Sequence, residues 1–121
     1  MKSKVLQLVL NTMAELPGVG GCALVEIEAG MVWHTAGHMS GLQNLGEAAS
    51  DHWRLYLRLD HHFAEIGDLN ALIFIRAMGK ITLLPCGKGM LLMAVASQNS
   101  EVDWYQWQTK AKELAKLVDL L

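Results

Sequence analysis

The chain has 121 residues, a net charge of −2, and 52% hydrophobic against 18% charged residues, which suits one domain with a real core and leaves no room for a separate catalytic half. Its ten basic residues are scattered rather than gathered in a stripe, so the phosphate-neutralising contribution behind nucleic-acid binding is missing, and its apolar runs fall short of the roughly 20 residues that a membrane span needs. A mean hydropathy of +0.24 suggests that more is buried than the core of one monomer.

Lys2 and Lys4 precede apolar residues, but Gln7 and Asn11 interrupt them and no small-residue cleavage site follows, so an amphipathic helix is expected rather than a leader. Val5, Leu6, Val9, Leu10 and Met13 recur at threes and fours, which predicts a helix over 3–15 with Ser3 as its cap and Pro17-Gly18 as its stop. "GGCALVEIEAGMVWHTAG" reads as a β-hairpin, with Gly30 available for a positive φ in its turn. The "GVGG" at 18–21 precedes a strand rather than capping a helix, so it reads as a turn with close backbone packing and not as a phosphate loop.

Two overlapping capping boxes, Ser40 with Gln43 and Asn44 with Glu47, open a long middle helix that runs to Ile66, with Gly67 after it. "LNALIFIRA", "KITLLP" and "GMLLMAVAS" then form a three-strand meander. The last helix takes Ser100 as N-cap, carries Asp103 at N3, and has the stripe Trp104, Trp107, Ala111, Leu114, Val118 and Leu121. The order is αββαβββα, an α/β (α+β) fold, expected as one domain over 1–121. Strands apolar on both sides call for helices on both faces of the sheet; Ile73 and Ile75 would face one layer, Leu72 and Phe74 the other.

The middle helix carries a surplus. At about 100° per residue its apolar arc, through Leu45, Ala49, Trp53, Tyr56, Leu59 and Phe63 and widened by Leu55, Leu57, Ala64 and Ile66, spans roughly 200°, about twice what a helix on one surface uses. His52 and Asp60 interrupt the arc, and Glu47, Asp51, Arg54, Arg58 and Glu65 fill the other side. A strand such as "LNALIFIRA", low in charge and free of Pro, is hazardous as a bare edge. A second copy of the chain covers both surfaces through one two-fold axis. The expected dimer interface is Trp53, Tyr56, Leu57, Asp60 and Ala64 from the helix with Leu72, Ile73, Phe74 and Ile75 from the strand; Arg54 and Arg58 are candidate partner contacts.

These residues carry a resemblance. The element order, the run "PGVGGCALVEIEAGMVWHTAG", Glu47 in an Ala-containing helix, and "LNALIFIRAMGKITLLPCGKGMLLMAV" together resemble the roadblock dynein-light-chain family, especially its short prokaryotic members, over essentially the whole chain. The resemblance implies a five-stranded antiparallel sheet with helices one and three on one face and the middle helix on the other. It also implies homodimers joined through that helix and the third strand. Family members are non-catalytic scaffolds and regulators of Ras-like GTPases in signalling and motility complexes. "VWHTAGHMSG" is more aromatic and His-rich than the Asp- and Ser-bearing hairpin end of the family.

Sharper chemistry finds little support in the residues. His34 and His38 straddle a strand end and a Gly loop, and His61 and His62 would point about 100° apart on a helix, so neither pair chelates a metal alone. Cys22 and Cys86 form no CxxC pair and have no neighbouring His or cation to make a thiolate; they read as small buried hydrophobes in a reducing cytoplasm. No catalytic constellation, metal or cofactor is expected. The alternative to a regulator is a ligand-sensing domain of profilin, PAS or GAF type, whose apolar surplus would line a pocket.

Overall fold

The computed structural model describes residues 2–97 and 99–121. In chain order the elements are α1 (Lys2–Ala14), β1 (Val19–Glu26), β2 (Val32–Ala36), α2 (Leu42–Arg58), a 3₁₀ segment (Asp60–Ile66), β3 (Leu72–Arg76), β4 (Gly79–Pro85), β5 (Met90–Ser97) and α3 (Trp104–Asp119). The strands form one antiparallel sheet in the order β2-β1-β5-β4-β3. β1 and β5 lie inside it and are buried on both faces, as their unbroken apolar sequences require. Alternate residues feed two cores. Cys22, Leu24, Leu92 and Ala94 meet α1 and α3 on one face, while Ala23, Val25, Leu91 and Met93 meet α2 on the other.

The hairpin turn is as expected: Gly30 takes φ +69°, and its N–H donates to the carbonyl of Glu26 at 2.9 Å. α2 lies close on its strands because Gly46 has no side chain. A Cβ there would stand 2.9 Å from Val32 Cγ2. Trp53, 2% exposed, then fills the space under the following turns.

Three helix ends differ from the expectations. α1 already includes Ser3, so Ser3 does not cap it; its hydroxyl meets His34 instead. Neither capping box opens α2. Gly41, at φ +78°, makes the turn, with no side-chain cap. α3 starts at Trp104 and is capped by Asp103, whose carboxylate accepts from the Gln106 N–H at 3.1 Å, while Ser100 donates to the Ser97 carbonyl at 2.8 Å in the preceding turn.

The largest difference is the end of α2. The α-helix stops at Arg58, and residues 60–66 tighten into a 3₁₀ segment, with the His62 N–H donating to the Leu59 carbonyl at 3.1 Å. No Gly or Pro causes this. Helices owe most of their stability to a packed face, and past Trp53 no α2 residue is buried. The tighter winding takes Asp60, Phe63, Ala64 and Ile66 off the helical arc to which their spacing assigned them. It also brings the rings of His61 and His62 together, with centroids 4.0 Å apart at 37°.

The α3 stripe holds for Trp107, Ala111, Leu114 and Val118, which are buried; Trp104 is half-buried and Leu121 lies beyond the helix, exposed. Both cysteines are buried free thiols, with Cys22 donating to the Leu10 carbonyl and Cys86 to that of Ala111. Burial pushes the Cys22 thiol pKa up to about 12, and burial together with the Asp119 carboxylate pushes that of Cys86 up to about 12. Neither thiol is therefore expected to react with a maleimide at pH 8 in the native protein; both should react in guanidinium. Modification of either without denaturant would contradict the packing described.

Candidate interaction surface

The sheet order leaves two edges, and they are treated differently. On the β2 edge, α1 supplies cover: the Gln7 amide donates to the Thr35 carbonyl at 3.0 Å and to Asn11 Oδ1 at 2.9 Å. With its N–H₂ so committed, Gln7 presents Oε1 to His34 Nδ1 at 2.8 Å. That assigns the ring proton to Nδ1 and leaves Nε2 to accept from Ser3 at 3.2 Å. Partial burial holds His34 below its ordinary pKa. The folded state therefore binds fewer protons at this ring than the unfolded one through the ordinary His range, so the stability linked to it is fully present above about pH 6.5 and is lost as pH drops through that range. A smaller difference in thermal midpoint between pH 7.5 and pH 5 is expected for His34→Gln than for the parent; equal differences would show that this ring carries none of the dependence.

Among the described residues the β3 edge has no such cover. β3 pairs with β4 alone, from Leu72 opposite Leu83 to Arg76 opposite Gly79. Leu72 and Phe74 pack half-buried on the α2 core, and the Phe74 ring meets that of His52 edge-on at 4.8 Å. On the opposite face Ile73 and Ile75 lie beyond the reach of α1 and α3, 59% and 81% exposed. Around this edge the second half of α2 exposes Leu55, Tyr56, Leu57 and Leu59, and the 3₁₀ segment exposes Phe63 and Ile66. Apolar surface on this scale is uncommon on a monomer.

Of the nine residues assigned to a dimer interface, Trp53 is core rather than surface, and Tyr56, Leu57, Ala64, Ile73 and Ile75 are exposed. Asp60, Leu72 and Phe74 are half-buried. Of the two arginines, Arg58 is exposed, whereas Arg54 is a strut. Its guanidinium donates to the Ile27 carbonyl at 2.6 Å and to Ser50 Oγ at 3.3 Å and pairs with Asp51, tying α2 to the hairpin turn. Residue spacing could not have shown this, since Ile27 is remote in the sequence.

An apolar groove of about 600 Å³ was also not foreseen. It opens between the start of α2 and the β3–β4 turn, over Leu45, Ile81 and Val95, with Met39 and Met78 at its sides. Its polar residues are His38, Arg76, Lys80 and Ser97, and among the described residues no carboxylate lines it. The Lys80 ammonium is turned away, 5.1 Å over the Trp104 ring. Among the described residues no helix is long and apolar enough to cross a membrane.

No family model matches the chain, and neither does any curated protein sequence. Solved structures do. A Roadblock/LC7 domain from Streptomyces avermitilis superposes with a TM-score of 0.73 at 18% identity, covering 94% of this chain and 92% of that one. MglB in a tetrameric arrangement gives 0.83 at 14% identity, covering 98% and 91%. The gliding protein MglB from Thermus thermophilus gives 0.76 at 13% identity, covering 98% and 89%. With three helices, a five-stranded antiparallel sheet, and α2 alone on its face, the chain has the Roadblock/LC7 fold.

Proposed function

We propose that the chain is a roadblock-family protein whose 121 residues act as one non-catalytic unit in the cytoplasm, a homodimeric scaffold or regulator of a Ras-like small GTPase or a related signalling or motility complex. The observation that carries this reading is the uncovered β3 edge flanked by the exposed apolar run of α2 and the 3₁₀ segment. A second copy placed across a two-fold axis pairs the edges and buries the flanking side chains together. The similarity to Roadblock/LC7 and MglB structures supports the same conclusion.

Such a dimer would act by position. Its rigid surface would bind one conformation of the GTPase switch loops better than the other, and only that difference in affinity shifts the population. Arg58 is the more available of the two arginines for this contact, Arg54 being held internally. The ligand-sensing alternative is less favoured, because the apolar groove is open rather than an enclosing pocket with convergent polar groups.

The test is to measure the mass in solution and to capture partners on the immobilised protein in parallel with GDP and with a non-hydrolysable GTP analogue. A two-chain mass and a small GTPase retained with one nucleotide only are expected. Equal recovery under both conditions, or recovery of non-GTPase partners alone, would sink the GTPase assignment.

A further inference from the structure

We infer that the groove at the β3–β4 turn is the receptor for the 3₁₀ segment of a second copy, so that Phe63 and Ile66 of one chain plug the groove of the other. The inference rests on the homodimer proposed above and specifies how its two copies interlock.

Three observations carry it. The first is register. Antiparallel pairing of β3 with itself uses the whole strand only when centred on Phe74, the middle of Leu72–Arg76. Arg76 then lies beside the second copy's Leu72, and the Ala77–Met78 turn into β4 lies at the end of the seam where the second copy's chain enters its own β3. On the face away from α2, Ile73 and Ile75 of the two chains become neighbours and leave the water.

The second is reach. Continuing from the second copy's Leu72 along its backbone, Ile66 is six residues on, at most about 20 Å. The 3₁₀ segment of that copy is therefore within reach of the β3–β4 turn, which forms one wall of the groove. Ile66 and Met78 are each 85% exposed, the highest values among the large hydrophobic side chains described. This pairing puts both at the same end of the seam.

The third is charge. Among the described residues the groove is lined by no carboxylate, and its charge comes from Arg76, the Lys80 ammonium being turned away over Trp104. The 3₁₀ segment that would enter it carries Asp60 and Glu65 and no Lys or Arg, and Asp68 follows it. Arg76 and Asp68 are both exposed and make no ion pair within the described residues. An apolar plug flanked by carboxylates thus meets an apolar groove with Arg76 at its rim, and the two-fold axis makes the contact twice. The flexible thioethers of Met39 and Met78 suit a site that must close around an inserted ring.

The experiment uses the full chain in two single variants, Ile66→Cys and Met78→Cys. The native cysteines are buried and do not interfere. After treatment with a short bismaleimide, a mixture of the two variants is expected to give a covalent two-chain product in roughly tenfold excess over either variant alone, since each site faces the other type and not itself. Asp68→Arg is expected to raise the dissociation constant roughly fivefold, and adding Arg76→Asp to the same chain should restore it. If sedimentation of the parent gives a two-chain mass but the mixture crosslinks no better than the separate variants, the groove assignment falls and the dimer stands. If the parent sediments as one chain at about 100 μM, a concentration at which a specific dimer should persist, both fall together.

Discussion

Replacing Ile73 and Ile75 together by lysine is expected to leave each chain folded and to abolish its assembly. Both side chains point into solvent in the single chain, at 59% and 81% exposure, so substitution away from the core should alter monomer stability by no more than about 0.5 kcal/mol each. In a β3-paired dimer the same positions form a cross-strand cluster. Like charges directly opposite destabilise such pairs, and the apolar area that favoured association is lost. A dissociation constant at least about 100-fold weaker follows, equivalent to roughly 3 kcal/mol. Sedimentation should report one chain where the parent reports two, with an unchanged far-UV circular dichroism spectrum. A double lysine variant that keeps the parent's mass would place the interface elsewhere.

Trp53→Ala should act in the opposite manner, damaging the chain itself. The indole is 2% exposed and lies in the core between α2 and the sheet, with Ala23, Val25, Leu83, Leu91 and Met93. Large-to-small substitution of a buried aromatic costs about 3–5 kcal/mol from lost transfer energy and the cavity left behind. That is a large share of the 5–15 kcal/mol by which a domain is typically stable. The urea midpoint should fall accordingly. Trp107→Ala, on the other face, provides the comparison: its ring is equally buried, but its indole N–H has no hydrogen-bond partner among the described residues. Removing that side chain also removes an unsatisfied donor, which offsets part of the loss. The loss at Trp53 is therefore expected to be the larger, and similar losses would show that the orphan donor costs little.

The alternation of apolar residues made the sheet, its two covered faces and the opposed orientations of Ile73 and Phe74 legible in the sequence, because side-chain direction in a strand is fixed by a period of two. The α3 stripe was legible for the same kind of reason. Its cap was not, since Ser100 and Asp103 are both good N-cap residues and only the turn at Ser97 decides between them. The end of α2 was hidden more deeply. Nothing local stops the helix before Gly67, and the change to tighter winding follows from the loss of a packing partner after Trp53. The strut made by Arg54 and the cover that Gln7 gives to β2 depend on residues 27 and 28 positions apart in the chain, for which periodicity holds no information.

That cover has a consequence for growth. A sheet with two open edges is a monomer for polymerisation: each addition exposes a fresh edge, and fibres result. Here the Gln7 amide occupies the Thr35 carbonyl on one side, so the β2 edge is the less reactive of the two. Joined at β3, two copies would present only their sealed sides to the outside, five strands deep in each direction. Edge-to-edge addition would then terminate at the first step, leaving a product of defined size.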